Sequence, residues 1–377
     1  MSITRRVVLR QLAAAAAARS SPAGAAVASG RASVEAGSRE PVRLDRNENG
    51  YGPSPRVLAA LREAAESSAH RHPDAAADAL FDVLGAAHGV ARDRILVGCG
   101  STEILHMAVA AFVGPGRKLV LARPTFDVVA RYAERSGSEV IAIPLTRYHA
   151  HDLDAMLARA DAATGLVYIC NPNSPTGTLT RRDDLDAFIH ALPPTTRVLI
   201  DEAYHHYVGP ASSYASFIDR PIDDPRVIVT RSFSKIHGLA GLRVGYGVMD
   251  RETAHLLETH RLDESVNTLA AAAAAIAATD TTHLQLSFQR NVNDRQELLN
   301  QANARMLKGI DPVANFVMLN TERPAAGIVE HFRAHGVRIA GPFSPFDTYI
   351  RVSVGTPEEM REFWRVWDLM PVHKMSM

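Results

Sequence analysis

Short runs of apolar, β-branched residues alternate with amphipathic or alanine-rich stretches through the middle of the chain. Runs such as Val198-Leu199-Ile200 are apolar at every position, which is typical of strands buried on both faces of a sheet. Strand patterns that alternate with helical patterns predict a mostly parallel sheet covered by helices. We expect seven strands, at residues 94–97, 118–121, 140–143, 165–169, 197–200, 226–230 and 243–248.

The last quarter of the chain shows a different pattern, in which a long helical stretch from His283 to Lys308 precedes shorter elements. This order predicts a second, smaller α+β domain beside the α/β domain that carries the seven-stranded sheet. The shorter elements expected there are strands at 316–319, 337–339 and 349–354, a helix at 328–335 and a last helix from Pro357.

The N-terminal segment is unlike the rest of the chain. It begins with the pair Arg5-Arg6, continues with alanines at 13–18 and offers small residues for cleavage at 26–28. A charged start, an apolar middle and a small-residue end are typical of a secretory signal, and paired arginines of the twin-arginine route. We expect export to the periplasm, the alternative being a cytoplasmic protein with a disordered tail.

The expected domain boundaries follow from these patterns. They are a leader at 1–40, an N-terminal arm at 41–60, a large domain at 61–285 and a small domain at 286–377.

Composition narrows the possible functions. The 377 residues are 46% hydrophobic and 22% charged, with 41 basic and 41 acidic side chains. A neutral chain lacks the charge of a nucleic-acid binder, and its alanine-rich run at 269–278 is too short for stable membrane insertion. Cys99 and Cys170 cannot form a disulfide framework and are expected to be small buried side chains. His205 and His206 lack metal-ligand spacing, so we expect no metal site and place both histidines on a helix after Tyr204.

Four predicted strand ends carry polar or glycine-rich segments, and ligands in open α/β sheets bind beyond such ends. Taken singly, each segment has a plain structural explanation: a strand–helix turn, a rigid proline turn, a helix cap and a solvated lysine. Together, and in this order, they favour an anion site and a nucleophilic lysine. The segments are Gly98-Cys99-Gly100-Ser101-Thr102, Asn171-Pro172-Asn173-Ser174-Pro175-Thr176-Gly177, Asp201-Glu202-Ala203-Tyr204, and Ser232-Phe233-Ser234-Lys235 followed by Arg243.

With these motifs and with Asn47-Glu48-Asn49 and the segment around Arg351, the sequence resembles the fold-type I pyridoxal-phosphate-dependent aminotransferases of class I/II. The similarity is to the histidinol-phosphate aminotransferase-like branch and runs from Leu44 to the C-terminal helix. It implies an aspartate-aminotransferase-like fold, pyridoxal 5'-phosphate as cofactor and a homodimer.

The resemblance implies roles for individual residues. Lys235 would form a Schiff base with the cofactor and carry the proton, Asp201 would pair with the pyridine nitrogen, and Tyr204 would bond the phenolic oxygen. Phe126 would stack on the ring, and Asn173 or Ser174 would contact it. The phosphate contacts that it implies are Gly100, Ser101, Thr102, Ser232, Ser234 and Arg243.

Arg351 would hold the α-carboxylate of the substrate as a bidentate fork, with Asn49 and Tyr51 nearby. The sequence also departs from the family. His72 stands where a tyrosine normally reaches the cofactor phosphate of the neighbouring subunit. Histidinol-phosphate enzymes also carry an N-terminal Pro-Tyr segment, which we do not find here, and a further arginine, where this sequence has Ala340 with Arg338 close by. The loss of the Pro-Tyr segment and of this arginine argues against a phosphate-bearing substrate.

The leading interpretation is an aminotransferase that acts on an L-amino acid and a 2-oxo acid. A decarboxylase or a cyclase of specialised metabolism on the same scaffold is the alternative, because it would keep Lys235, Asp201 and Arg243. A third class is a non-catalytic sensor half of a transcription regulator, which would need an N-terminal DNA-binding domain.

Overall fold

The computed structural model describes residues 40–210 and 213–371, so the predicted export signal lies outside the described residues. Strands in this part of the chain fall into one large sheet and two small ones. They are β1 (Val42–Leu44), β2 (Ile95–Gly98), β3 (Lys118–Arg123), β4 (Glu139–Pro144), β5 (Thr164–Cys170), β6 (Arg197–Asp201), β7 (Val227–Ser232), β8 (Gly245–Val248), β9 (Lys308–Gly309), β10 (Phe316–Asn320), β11 (Val337–Ile339) and β12 (Tyr349–Ser353).

Helices cover the large sheet and pack on the small ones. Several begin at side-chain caps, for example α1 at Ser54 and α11 at Thr356, which forms a capping box with Glu359. The helices are α1 (Pro55–Ser67), α2 (Asp74–His88), α3 (Ser101–Phe112), α4 (Val128–Arg135), α5 (Leu153–Leu157), α6 (Arg182–Ala191), α7 (Arg251–Glu258), α8 (Thr268–Thr279), α9 (Thr281–Ala304), α10 (Ala325–Ala334) and α11 (Pro357–Asp368).

Among the described residues the large sheet has seven strands in the order β2-β8-β7-β6-β5-β3-β4. Strand β8 runs antiparallel to both of its neighbours, and the other pairs are parallel. The predicted mostly parallel, seven-stranded sheet is therefore confirmed. Because the carboxyl ends of β3, β5, β6 and β7 meet at one edge, the loops that follow them lie together.

The core lies on both faces of this sheet. Along β5, Val167 and Ile169 belong to one apolar cluster, whereas Leu166 and Tyr168 belong to the cluster on the opposite face. Every residue of β5 is buried, as the continuous apolar pattern predicts.

A smaller layer packs around β10 and β12, with β9 antiparallel to β10 and β1 parallel to β11. The long helix α9 ends at Ala304, so its expected end at Lys308 is wrong. Lys308 instead pairs with Asn320 at the start of the small sheet. The expected domain boundaries remain a prediction, although the pairing of β1 with β11 joins the N-terminal arm to this layer.

Within residues 40–210 and 213–371, none of the helices combines the length and the apolar character that a membrane span requires.

Candidate active site

The four polar segments meet at one edge of the sheet. Cys170 pairs with Asp201, and Asp201 with Thr230, so the ends of β5, β6 and β7 are neighbours. Gly245 pairs with both Gly98 and Ser232, which brings the glycine segment beside the serine–lysine segment. The topology therefore brings the four segments together, while their sharing of one site remains a prediction.

The first part of the site is a cradle at the N-terminus of α3, which begins at Ser101 and continues with Thr102. Gly100 precedes it with φ of +73°, and a Cβ there would lie 2.3 Å from the Arg243 guanidinium. Arg243 donates to the Ser234 hydroxyl at 3.2 Å. The amides of the helix start, the Ser234 hydroxyl and the Arg243 guanidinium therefore lie close together.

Arg243 itself adopts the left-handed conformation, with φ of +58°. The strand that was expected to begin at Arg243 begins instead at Gly245. The Gly245 backbone lies close to the start of α3, and a Cβ at Gly245 would lie 2.2 Å from the Ser101 nitrogen. This close approach of two backbones sets the arginine beside the helix start.

Asp201 lies at the end of β6 and is 2% exposed. One carboxylate oxygen accepts a hydrogen bond from the Tyr168 hydroxyl at 3.1 Å, and the other accepts from the Ala203 amide at 3.1 Å. Burial raises the pKa of Asp201 to about 6, while the Tyr168 and Ala203 bonds and the charge of Lys235 lower it. This carboxylate is suited to hold a cationic group at the strand end.

The Lys235 amine lies above the Tyr204 ring, 5.5 Å from its centre, and donates to the Arg46 carbonyl at 3.0 Å. The Tyr204 hydroxyl accepts from the Asn47 amide at 2.8 Å. Tyr204 also packs edge-on against Phe316 of the small layer. The amine and the phenol therefore face the same space between the two layers.

Asn173 and Ser174 have different environments. The Asn173 amide donates to the Pro124 carbonyl at 3.1 Å and to the Thr176 hydroxyl at 2.9 Å, and its oxygen accepts from Thr125. Asn173 thus ties the loop before Phe126 to its own loop. The Ser174 hydroxyl accepts instead from Arg351 at 3.2 Å.

Arg351 comes from β12 and lies between the Phe316 and Phe343 rings, at 5.4 and 5.2 Å from their centres. It also donates to the Asp45 carbonyl at 2.7 Å, while its buried Nε has no partner. Desolvation lowers the pKa of this guanidinium. A guanidinium with an unused N–H donor is suited to bind a carboxylate.

A cavity of about 430 Å³ lies beside this guanidinium. Its wall includes the ring of Phe126, which is 37% exposed, together with Ser174, Pro342 and Phe343. The volume is within the range of small-molecule pockets. Asp201, Lys235 and Arg243 do not line it, so the cavity covers only the outer part of the site.

Two of the expected residues, Tyr51 and His72, lie away from this centre. Asn49 donates to the Ile236 carbonyl beside Lys235, but Tyr51 turns its hydroxyl to Asp294 of α9 at 2.9 Å. His72 pairs with Glu264 at 2.6 Å, and both side chains are exposed. The Tyr51 hydroxyl and the His72 ring therefore bond residues outside the expected site, although the Tyr51 amide donates to the Asn49 side chain at 3.1 Å.

Sequence reasoning assigned no role to Asp45, Arg46, Asn47 and Tyr168, which all contact the site. Asn47 belongs to a motif that we used, but its target Tyr204 is 157 positions away. Such a distant partner leaves no local signal in the sequence.

Two minor predictions are corrected. Cys99 is exposed at the glycine turn, whereas Cys170 is buried as expected. His205 and His206 lie in a single 3₁₀ turn (His205–Tyr207) and not in the expected helix.

The residues fit pyridoxal 5'-phosphate. The glycine positions leave a cradle that any side chain would fill, and its donors match a phosphate. The buried Asp201 carboxylate has two neutral donors, as expected for a partner of a protonated pyridine. Lys235 supplies the amine.

Comparisons with known proteins agree. The family model for class I and II aminotransferases matches residues 39–366. The histidinol-phosphate aminotransferase of Moorella thermoacetica is 36% identical over 332 residues, covering 88% of this chain and 86% of that protein. The crystal structure of the Sinorhizobium meliloti histidinol-phosphate aminotransferase, in complex with pyridoxal 5'-phosphate, has a TM-score of 0.81 at 28% identity, covering 87% and 91% of the two chains.

A more distant likeness shows the fold alone: Thermus thermophilus aspartate aminotransferase has a TM-score of 0.74 at 20% identity, covering 87% of this chain and 92% of that one. The fold, the site and the close relatives lead to one assignment. The chain belongs to the class I and II aminotransferases, in their histidinol-phosphate aminotransferase-like branch, and is a pyridoxal-phosphate-dependent enzyme that moves an amino group between an amino acid and a 2-oxo acid.

Proposed function

We propose that Lys235, Asp201 and Arg351 are the three charged groups around which this aminotransferase works, and that its substrates carry an α-carboxylate but no phosphate. The observation that carries the proposal is the Arg351 guanidinium, which lies between two aromatic rings with its Nε unpartnered. When bound, pyridoxal phosphate supplies an electron sink that acidifies the α-proton of the amino acid.

Lys235 moves that proton. Its amine donates a hydrogen bond to the Arg46 carbonyl at 3.0 Å, and this bond orients the amine while it is not bound to the cofactor. Asp201 holds positive charge at the pyridine nitrogen, and Tyr204, fixed by Asn47, orients the phenolic side of the cofactor. Arg243, Ser232, Ser234 and the helix start of Gly100, Ser101 and Thr102 hold the phosphate, and Phe126 covers the ring.

Ser174, and not Asn173, is the residue of its loop that faces the substrate. Both functional ends of the Asn173 amide are used to brace the loop before Phe126. Ser174 instead touches Arg351, so its hydroxyl helps to place the guanidinium that receives the carboxylate. Asn49 supports this region through its bond to the Ile236 carbonyl, whereas the Tyr51 hydroxyl bonds Asp294.

The uncharged side chain of the residue paired with Arg351 supports substrates without a phosphate. Ala340 forms an antiparallel bridge with Arg351, and directly opposed residues of such a pair point to the same side. The side chain next to the carboxylate site is therefore a methyl group. Arg338, two positions earlier, is exposed.

We also propose a homodimer, in which His72 completes the cofactor site of the second subunit. The support is that His72 and Glu264 are exposed in the single chain and touch none of its site residues. Export through the leader stays a prediction that rests on the sequence alone.

The proposed role of Lys235 is tested by borohydride reduction of the holoenzyme and peptide mapping. We expect the reduced cofactor on Lys235, and we expect Lys235→Ala to abolish transamination while its unfolding curve stays close to that of the wild type. Label on another lysine would contradict the assignment. Parallel assays with L-amino acids and with histidinol phosphate test the substrate class, since good turnover of the phosphate ester would overturn it.

A further inference from the structure

Tyr168 has a buried hydroxyl group to which the proposed function assigns no role. It lies on β5, is 0% exposed and belongs to the apolar cluster against α3. Tyr168 pairs with Leu199 of β6, two positions before Asp201. Residues two apart in a strand share a face, so its ring can run along the sheet to the Asp201 carboxylate.

The contact that results is specific. The Tyr168 hydroxyl donates to one Asp201 oxygen at 3.1 Å, and the Ala203 amide occupies the other. Both donors are neutral, and each favours the ionised carboxylate over the protonated one. Burial acts in the opposite direction and raises the pKa of Asp201 to about 6. Near neutral pH the charge state of this carboxylate therefore depends on these donors and on the charge of Lys235.

Tyr168 can fill this role at any working pH. Burial, followed by the nearby Asp201 charge, raises its pKa well above the ordinary value for tyrosine, so the hydroxyl keeps its proton and remains a donor. A core tyrosine needs only some acceptor for its hydroxyl, and a main-chain carbonyl would satisfy it. Here the acceptor is instead the carboxylate at the centre of the site.

We propose that Tyr168 is a positioning residue, which keeps Asp201 ionised and aimed at the pyridine nitrogen of the cofactor. The proposal rests on the role of Asp201 given under Proposed function. Without the tyrosine hydroxyl, the Asp201 carboxylate would be a stronger base. The proton that it would share with the bound cofactor would then shift from the pyridine nitrogen toward the Asp201 oxygen, with no change in the total number of protons.

The test uses holoenzyme reconstituted with pyridoxal phosphate labelled with ¹⁵N at the pyridine nitrogen. In Tyr168→Phe, we expect the ¹⁵N shift at pH 7 to move toward the unprotonated value. Losing a hydrogen bond to a charged group corresponds to a change of about 10- to 100-fold in the equilibrium constant for the proton between the pyridine nitrogen and the carboxylate. Tyr246→Phe is the matched control, because Tyr246 is a buried tyrosine of the same sheet whose hydroxyl bonds His88 and not Asp201.

Asp201→Asn distinguishes the proposed role of Asp201 from the proposed role of Tyr168. If Asp201→Asn leaves the ¹⁵N shift unchanged, the proposed role of Asp201 fails. If Asp201→Asn moves the shift while Tyr168→Phe and Tyr246→Phe both match the wild type, only the role of Tyr168 fails.

A second variant covers the case in which Tyr168→Phe does not fold. Replacing Tyr168 by 3-fluorotyrosine keeps the side-chain volume and makes the hydroxyl a stronger donor. We expect the ¹⁵N shift to move further toward the protonated value. No change, or a change toward the unprotonated value, would overturn the proposal.

Discussion

At the scale of the residue, the site is built on charged groups such as Arg351 and Asp201, which form no ion pair within residues 40–210 and 213–371. Arg351 has aromatic neighbours, one serine and a carbonyl, and its Nε is unpartnered. Partial burial of a cation without an ion pair costs free energy, and a bound carboxylate would offset this cost. Substitutions at Arg351 should accordingly act on substrate binding.

We predict that Arg351→Lys weakens amino-acid binding by roughly 2 kcal/mol, or about thirtyfold, because lysine keeps the charge but loses the two-pronged geometry. Cofactor affinity should not change, which equilibrium dialysis of the apoenzyme will show. Arg338→Lys, at an exposed strand position, is the control and should match the wild type. Equal losses of substrate and cofactor affinity would mark Arg351 as structural.

At the scale of the element, the start of α3 depends on a glycine, Gly100, that has no Cβ. Gly100 needs its hydrogen for two reasons, a positive φ of +73° and an Arg243 guanidinium 2.3 Å from where a Cβ would lie. Gly89, at the end of α2, has a similar φ of +64° but open space around it. The pair separates backbone strain from crowding of the phosphate site.

We expect Gly100→Ala and Gly89→Ala each to lower the free energy of unfolding by about 1 kcal/mol, because alanine is strained at positive φ. Gly100→Ala alone should also weaken cofactor binding, by about tenfold for one lost charge-assisted hydrogen bond. Urea unfolding and cofactor titration measure the two effects. Equal cofactor affinity in both variants would show that Arg243 does not hold the phosphate.

At the scale of the whole molecule, buried histidines make stability depend on pH. Desolvation lowers the pKa of His88 and His151 to about 4, and that of His205 and His237 to about 3. In the unfolded chain these groups titrate near 6.5, so below that pH the unfolded state binds more protons than the native state. Their contribution to stability is complete above pH 6.5 and is lost as the pH falls toward 4.

We predict that the free energy of unfolding falls between pH 6.5 and pH 4, with about 1.4 kcal/mol lost per pH unit for each buried histidine. Asp201, whose pKa is raised, opposes the trend as a single group. Urea unfolding at pH 7.5, 6 and 5 measures the slope. His151→Asn, at a buried site that bonds Thr180, should reduce that slope, and a flat profile would contradict the prediction.

The assembly provides the other prediction at this scale. If His72 completes the site of the second subunit, a dimer of one Lys235→Ala and one His72→Ala chain contains one site with neither change. We expect mixing of the two impaired variants, under conditions that exchange subunits, to restore part of the activity. No recovery, together with unchanged cofactor affinity of His72→Ala, would exclude this role.

The sequence by itself determined the fold class, the order of the strands along the chain and the set of motifs. Continuous apolar runs can be satisfied only in a sheet that is covered on both faces, and polar segments directly after them fall at its edge. For the same reason Lys235, Asp201 and Arg243 were recognisable from their neighbours in sequence.

Tertiary structure alone decided which groups touch. The bonds of Asn47 to Tyr204 and of Tyr168 to Asp201 join different strands and layers, so no local pattern announces them. It also distinguished Asn173, which braces a loop, from Ser174, which meets Arg351. Asn173 and Ser174 are adjacent polar residues of one loop, so the sequence pattern does not distinguish them. The direction of each side chain is set by packing between elements that are far apart in the chain.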